Sequence, residues 1–198
     1  VFYNLTRNMR TPPNYVLYNV GDSLSTKPEL SWNHELGWRF QQEDMLLSAT
    51  LFYMRYSDRQ ISTTNSAGDY EMMNIGNVEN KGLELEWSGQ LPHNFNYYTS
   101  YTYTESKQKS DIVSNGGLPL PTSGKEVPNV PKNLLNMTLG YDDGLYYGSV
   151  SGKYVSSFYG DLTNDEKIGG RTVFDLAAGV HLPVDKKIVK SAALRFGI

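Results

Sequence analysis

The sequence predicts an all-β fold, an antiparallel up-and-down sheet of the transmembrane β-barrel type, and three observations carry that expectation. Apolar and polar residues alternate through most of the chain, short and long connections alternate between the patterned segments, and no helix-period segment with caps stands out. The stretch from Asn80 to Ser106 shows the beat best. Leu83, Leu85 and Trp87 fall on one side of a pleated chain, with Glu84, Glu86 and Ser88 on the other. After Leu91-Pro92-His93-Asn94 it resumes, with Phe95, Tyr97, Tyr101 and Tyr103 set against Asn96, Ser100, Thr102 and Thr104.

Alternation and turn signals place about nine strands, near 1–10, 29–40, 45–63, 71–89, 94–106, 132–142, 145–160, 170–183 and 187–198. The second and third are joined by Gln41-Gln42-Glu43-Asp44, and the fourth and fifth by Leu91-Pro92-His93-Asn94. Asp142-Asp143-Gly144, with the Asp-Gly step a tight hairpin favours, joins the sixth and seventh. Val184-Asp185-Lys186 joins the last two. The other links are longer: 11–27, with Pro12-Pro13 and a Tyr15/Tyr18 pair; 64–70; 107–130, with three prolines; and 161–169. In a meander, alternate links fall on opposite ends, so one end is trimmed and the other elaborate. Membrane barrels have that asymmetry, with short periplasmic turns and long outer loops. Segments 45–63 and 71–89 exceed the ~10 residues a tilted crossing needs, and their surplus is expected to rise above the membrane.

Composition agrees. The 198 residues include 15 Tyr and 18 Gly, a balance that favours strands over helices. Mean hydropathy is −0.48, and no run approaches the ~20 apolar residues of a spanning helix. Barrel strands escape that test because their alternation averages to polar. A net charge of −3 with dispersed acids leaves no nucleic-acid footprint. Cysteine is absent, which removes disulfide frameworks and thiolate metal sites. Both ends lie inside alternating segments, so the chain reads as a piece of a longer protein.

One face of the best strands is Leu, Val, Ala, Tyr, Trp and Phe, and the other carries Glu84, Glu86, Lys153 and Asp175 among Ser, Thr, Asn and Gly. Trp32, Trp38, Phe40, Trp87, Phe158 and Tyr159 sit near strand ends, where amphipathic rings would form girdles at the membrane boundary. A soluble sheet with these rings in its core has the same periodicity.

Catalytic chemistry finds no constellation. His34, His93 and His181 lie on separate segments without ligand spacing, so no metal site is expected. In the stretch Pro119–Pro128, Gly124-Lys125 is followed by Glu126 and the upstream glycine is misplaced, so no phosphate cradle forms. Asn4-Leu5-Thr6 and Asn136-Met137-Thr138 fit a glycosylation pattern but fall within strands. Glu84 and Glu86 stand roughly 7 Å apart on one face, as any two acids two residues apart on a strand do. An enzyme is not expected.

Six segments resemble, in order, the TonB-dependent outer-membrane receptors. They are Ser25–Phe40, Leu51–Ile61, Asn74–Leu91 with its Lys-Gly-Leu-Glu-Leu-Glu run, Tyr98–Ser106, Val127–Tyr141 and Ser191–Ile198. Each alone is weak, but six in register across nearly the whole chain are specific. The resemblance implies a bacterial outer-membrane barrel of about 22 strands closed by an N-terminal plug. Residues 1–198 would be a partial barrel domain from the C-terminal part of the wall, without the plug or the segment that touches TonB. It further implies import of a scarce ligand, a ferric siderophore above all, energised through TonB. No covalently bound cofactor is implied, and the partners are TonB, membrane lipid and the small iron chelate.

Such chelates are large and anionic or catecholic, so cationic and aromatic groups at the mouth are the useful chemistry. Arg10, Tyr15, Tyr18, Arg59, Tyr70, Tyr159 and Arg171 flank the long loops and are the candidate ligand residues. Interfacial anchoring or loop packing accounts for any one of them equally well. A passive porin-like channel and a soluble carbohydrate-binding β domain remain alternatives at this level.

Overall fold

The computed structural model describes residues 1–12, 26–64, 70–112, 119–182 and 191–198. The first strands are β1 (Phe2–Arg10), β2 (Glu29–Gln42), β3 (Met45–Ser57), β4 (Gln60–Thr64), β5 (Tyr70–Asn74), β6 (Val78–Leu91) and β7 (Phe95–Gln108). There follow β8 (Asn133–Asp142), β9 (Tyr146–Val155), β10 (Phe158–Tyr159), β11 (Lys167–Ile168), β12 (Arg171–Leu182) and β13 (Ala192–Gly197). Nine of them form one sheet in the order β1-β2-β3-β6-β7-β8-β9-β12-β13, antiparallel throughout. β4–β5 and β10–β11 are separate two-stranded ribbons. The sheet is open, since β1 and β13 are not paired with each other.

The nine-strand meander matches the expectation, but three expected strands break. The 45–63 segment ends β3 at Ser57 because Asp58 turns to positive φ (52°), and β4 restarts as half of a ribbon. The 71–89 segment breaks at Gly76 (φ 78°), a backbone conformation that glycine enters without steric cost. The 145–160 segment splits between β9 and β10. Phe158 and Tyr159 thus belong to a loop ribbon, and not to a girdle in the wall. The short link at Val184-Asp185-Lys186 and the start of the last expected strand lie outside the described residues.

Register sorts the side chains. Leu36, Leu51, Leu83 and Tyr103 form one cross-strand row, and Trp38, Ala49, Leu85, Tyr101, Leu135 and Tyr154 form another. Facing the opposite way are Ser48, Glu86, Ser100, Asn136 and Lys153, beside Thr50, Glu84 and Thr102. Glu35, Arg39, Asp175 and Arg195 share that second face. From Leu36 down β2, and from Leu83 down β6, the first face carries no charge on any described strand until the short turns. It nevertheless stays exposed: Leu51, Leu85, Trp87, Met137, Leu139, Val150, Leu176 and Phe196 all face outward. A contiguous apolar surface of this extent has no partner in the chain, and hydrocarbon is the solvent it fits.

Aromatic rings bound the band near the short turns. Trp38 stacks on Phe40 with centroids 6.1 Å apart, Trp87 meets Tyr97 edge-on at 4.9 Å, and Phe95 meets Tyr141 at 5.0 Å. Close strand packing is helped by large rings lying over glycines of the neighbouring strand, as Phe52 does over Gly82. A Cβ on Gly82 would run into the Tyr103 carbonyl oxygen and stand 2.6 Å from Phe52 Cζ.

Leu85→Lys is therefore expected to cost about 2–4 kcal/mol of folding stability in bilayers, with Thr102→Lys, on the charged face, costing far less. Equilibrium unfolding of the full-length protein from liposomes measures both. Equal costs would place both faces in the same solvent.

Candidate functional site

At the loop end the two faces of the wall part company. Tyr56, Val78 and Gln108 form a row on the charged face, and Arg55, Glu79 and Lys107 form the adjacent row on the apolar face. Val78 is 2% exposed and Gln108 is fully buried, whereas the Lys107 side chain is 42% exposed. Glu29, Asn33 and Ser106, also on the charged face, are buried too. The described parts of the long loops thus lean over that side of the wall. Ile75, Val78 and Ile112 make the small core of a collar there, with Tyr56, Ile61, Val127 and Leu162 packed around it.

Polar bonds tie the collar together. The Gln108 side-chain amide donates to the Leu162 carbonyl at 3.1 Å, and the Asn129 N–H to the Tyr159 carbonyl at 2.8 Å. Asn164 clasps Glu126 reciprocally: its Nδ2 donates to the Glu126 carbonyl at 2.9 Å, and its Oδ1 accepts the Glu126 N–H at 2.7 Å. Asn164 does this from positive φ (61°), which asparagine tolerates better than most residues. Asp161 holds the turn by accepting from the Thr163 hydroxyl and from the N–H groups of Thr163, Asp165 and Glu166. The Thr163 hydroxyl first, and then the Glu166 N–H, hold the Asp161 carboxyl well below the usual carboxylate range. Glu126 in turn raises the pKa of Lys132, its ion-pair partner.

The predicted ligand residues divide between two sides of this collar. Arg10 ends β1 opposite Glu29, and Arg59 reaches the same glutamate with Nη1–Oε1 at 3.5 Å. The Arg59 guanidinium also lies over the Tyr56 ring at 4.2 Å, and the Gln60 N–H bonds the second Glu29 oxygen at 2.8 Å. Arg10 thus ends its strand beside Glu29, while Arg59, ion-paired with that glutamate, acts partly as a strut. On the other side, Tyr159 pairs with Lys167 in the β10–β11 ribbon, and exposed Arg171 begins β12 opposite Val155. Tyr70 opens β5 opposite Thr64. Tyr15 and Tyr18 lie outside the described residues.

Glu29, Gln60, Gln108, Asp161 and Asn164 were not singled out by sequence reasoning. Only the Lys27-Pro28-Glu29 step and the Asn164-Asp165 turn signal hinted at them. His181 meets the Tyr147 ring at 4.7 Å and Asp142 at 3.6 Å, at the opposite, short-turn end. A groove of about 330 Å³ between Gln41–Leu46, Ser88–Gln90 and Asn96–Tyr97 also lies at that end and holds none of the predicted residues. Among the described residues no group of His, Asp and Glu is arranged to hold a metal.

A family model described as TonB dependent receptor-like, beta-barrel, matches residues 1–198. The ferrichrome outer membrane transporter/phage receptor of Escherichia coli (strain K12) is 26% identical over 154 residues, 75% of this chain and 19% of that protein. The ferrioxamine B receptor of Salmonella typhimurium (strain SL1344) is 25% identical over 177 residues, 87% of this chain and 24% of that protein. The chain thus spans about a fifth to a quarter of the length of these relatives. Among solved structures, the ferric yersiniabactin uptake receptor FyuA from Yersinia pestis superposes with a TM-score of 0.67 at 21% identity. That match covers 90% of this chain and 27% of FyuA, and it shows the fold.

Asp161→Ala is expected to loosen the collar and raise tryptic cleavage within 161–171 severalfold, while Asp165→Ala leaves it near wild type. Because the Asp161 carboxyl is depressed, its contribution is complete above the ordinary aspartate range and is lost only as pH falls well below it. Protection of the loop from proteolysis should accordingly be the same at pH 7 and pH 5.

Proposed function

Because this chain belongs to the TonB-dependent receptor-like β-barrel family, we propose that residues 1–198 are part of the wall of an outer-membrane barrel that imports a ferric siderophore. The observation that carries the ligand class is that curated relatives aligned along most of the chain are a ferrichrome transporter and a ferrioxamine B receptor. The charge-free band of the outward face and the loop asymmetry support the membrane setting.

In this reading the collar is one side of the ligand vestibule. Arg10 and Arg171 offer cationic donors to the oxygen atoms of an anionic chelate, and neither has an ion-pair partner among the described residues. Tyr159, Tyr70, Tyr15 and Tyr18 supply ring surface, and Arg59 adds charge from its seat on Tyr56 and Glu29. Glu84, Glu86, Lys153 and Asp175 line the inner wall, where a plug from elsewhere in the protein is held. TonB acts on that plug from the periplasmic side and supplies the work of release. The chelate is cargo that passes through unchanged, so the wall needs no nucleophile, acid–base pair or resident cofactor. In hydrocarbon the free edges of β1 and β13 would leave backbone groups unpaired, which supports reading this sheet as part of a larger closed wall.

Deleting the receptor gene should abolish growth when ferrichrome or ferrioxamine B is the sole iron source, and plasmid expression should restore it. Unchanged growth on every ferric chelate tested would overturn the ligand class. A charge-assisted contact is worth ~1.5–3 kcal/mol, so Arg10→Ala or Arg171→Ala should weaken chelate binding by about tenfold or more. Binding by the purified full-length receptor reads this directly.

A further inference from the structure

Gln60 and Asn74 pair across the foot of the β4–β5 ribbon, and both turn their side-chain amides on one residue of another loop, Lys27. The Lys27 N–H donates to Asn74 Oδ1 at 2.7 Å. The Lys27 carbonyl accepts from Gln60 Nε2 at 2.8 Å and from Asn74 Nδ2 at 3.1 Å. The flanking residues are fixed as well. Thr26 donates its hydroxyl to the Met72 carbonyl at 3.4 Å, and the Pro28 ring locks φ. Glu29 is buried, and its carboxylate is taken by Arg59 and by the Gln60 N–H. Lys27 itself is exposed.

The same two amides gather other loop bases at this point. Asn74 Nδ2 also donates to the Asp58 carbonyl at 2.6 Å, and Gln60 Nε2 reaches the Arg10 carbonyl at 3.5 Å. Lys27 and Arg10 thus stand at one node. The loop bases there carry as many acids as bases, Glu29, Asp58 and Glu71 against Arg10, Lys27 and Arg59. No field of net charge therefore draws an anion to this side, and any attraction has to be a directed contact. Among the described side chains no carboxylate lies within ion-pair distance of the Lys27 ammonium, so its N–H donors stay available.

We propose that Lys27 is a further ligand residue of the vestibule, giving its ammonium to iron-bound oxygen of the chelate, and that Asn74 is the residue that positions it. The assignment rests on the ferric-chelate reading above. Oxygen atoms bound to iron(III) keep negative charge whatever the net charge of the chelate, and a compact ammonium suits them. Because folding has already fixed the Lys27 backbone, contact costs only side-chain rotamers. A lysine on a loose loop would lose backbone freedom as well. Asn74 touches no cargo and acts through Lys27.

The test measures binding of ferrichrome and of ferrioxamine B to the purified full-length receptor by titration calorimetry. Lys27→Gln should weaken binding by about tenfold or more, the loss of a charge-assisted contact. Lys27→Arg should recover most of it, and Lys81→Gln, a charge removed from the outward face, should bind as wild type. Asn74→Ala should weaken binding severalfold in wild type yet add little to Lys27→Gln, because the group it positions is already gone. An asparagine that merely stiffened the collar would cost the same factor in both backgrounds. Unchanged binding by Lys27→Gln overturns the contact, and equal losses from Asn74→Ala with and without the lysine overturn the positioning role. Heat-modifiable gel mobility reports barrel insertion for every variant. Failure of Asn74→Ala to insert would make Asn74 a folding residue and overturn its positioning role, while Lys27→Gln still decides the contact. Wild-type binding matched by Lys27→Gln sinks this assignment alone, whereas no binding of either chelate by wild type sinks the ferric-chelate reading with it.

Discussion

In hydrocarbon, a backbone N–H or C=O without a partner costs several kcal/mol, and no water is available to supply one. The wall follows from that constraint. Long strands pair along most of their length, β3 with β6 from Met45↔Gly89 to Tyr56↔Val78 and β6 with β7 from Val78↔Gln108 to Leu91↔Phe95. Once the ladders are fixed, so is every side chain's direction, because the period of a strand is two. A slip of one residue in β6 would carry Glu84 and Glu86 to the outward face and Leu83, Leu85 and Trp87 inward. Each charge so placed costs up to a few kcal/mol near the bilayer centre. Register is therefore set by the lipid as much as by the hydrogen bonds.

Past the hydrocarbon boundary the same ladders continue under different rules. Water is available on the outward side, and Arg55, Glu79, Lys81, Glu105 and Lys107 appear there at once. On the inward side the loops cover the wall, and the row of Tyr56, Val78 and Gln108 is buried beneath them. One pair of strands thus passes from lipid-facing wall to collar without changing its pairing. The loop bases are held to a rigid sheet by a small core and a few directed hydrogen bonds, among them the Asn164–Glu126 clasp. Residues that meet a ligand are best carried on such a scaffold, since loops can vary while their anchors stay put.

Much of the wall was legible because its cause is local. Alternation at Leu83–Trp87 and at Phe95–Tyr103 reports a face directly, and Asp142-Asp143-Gly144 states its turn in three residues. The breaks at Asp58 and Gly76 were not legible, since the alternation runs on across them into β4 and β5. What stops the strand there is the collar: Ile75, Val78 and Ile112 meet only after the loops fold. The same reason hides the site. Arg59 stood out as a cation near a loop, but its engagement by Tyr56 and by Glu29, thirty residues upstream, is tertiary information. Phe158 and Tyr159 read as girdle rings because a strand end in a loop ribbon has the same local composition as one at a membrane surface.

The two faces also explain why the relatives share a fold at so little identity. Lipid attraction is non-directional and roughly proportional to apolar area, so Leu51 or Val150 can be replaced by any side chain of similar character without changing the pairing. The inward face must suit whatever fills the barrel, and the loops must suit the cargo, so both are free to diverge with function. A wall under these pressures keeps its class of residue at each position while losing the residues themselves. An identity of 25% to 26% along most of the chain is the expected result, as is a superposition at a TM-score of 0.67 onto a structure with only 21% identity. It follows that sequence similarity along the wall reports the family, and with it a broad class of cargo, more than any individual ligand. Under the proposed function, discrimination between one iron chelate and another is to be sought in the collar, where directed bonds replace bulk hydrophobicity.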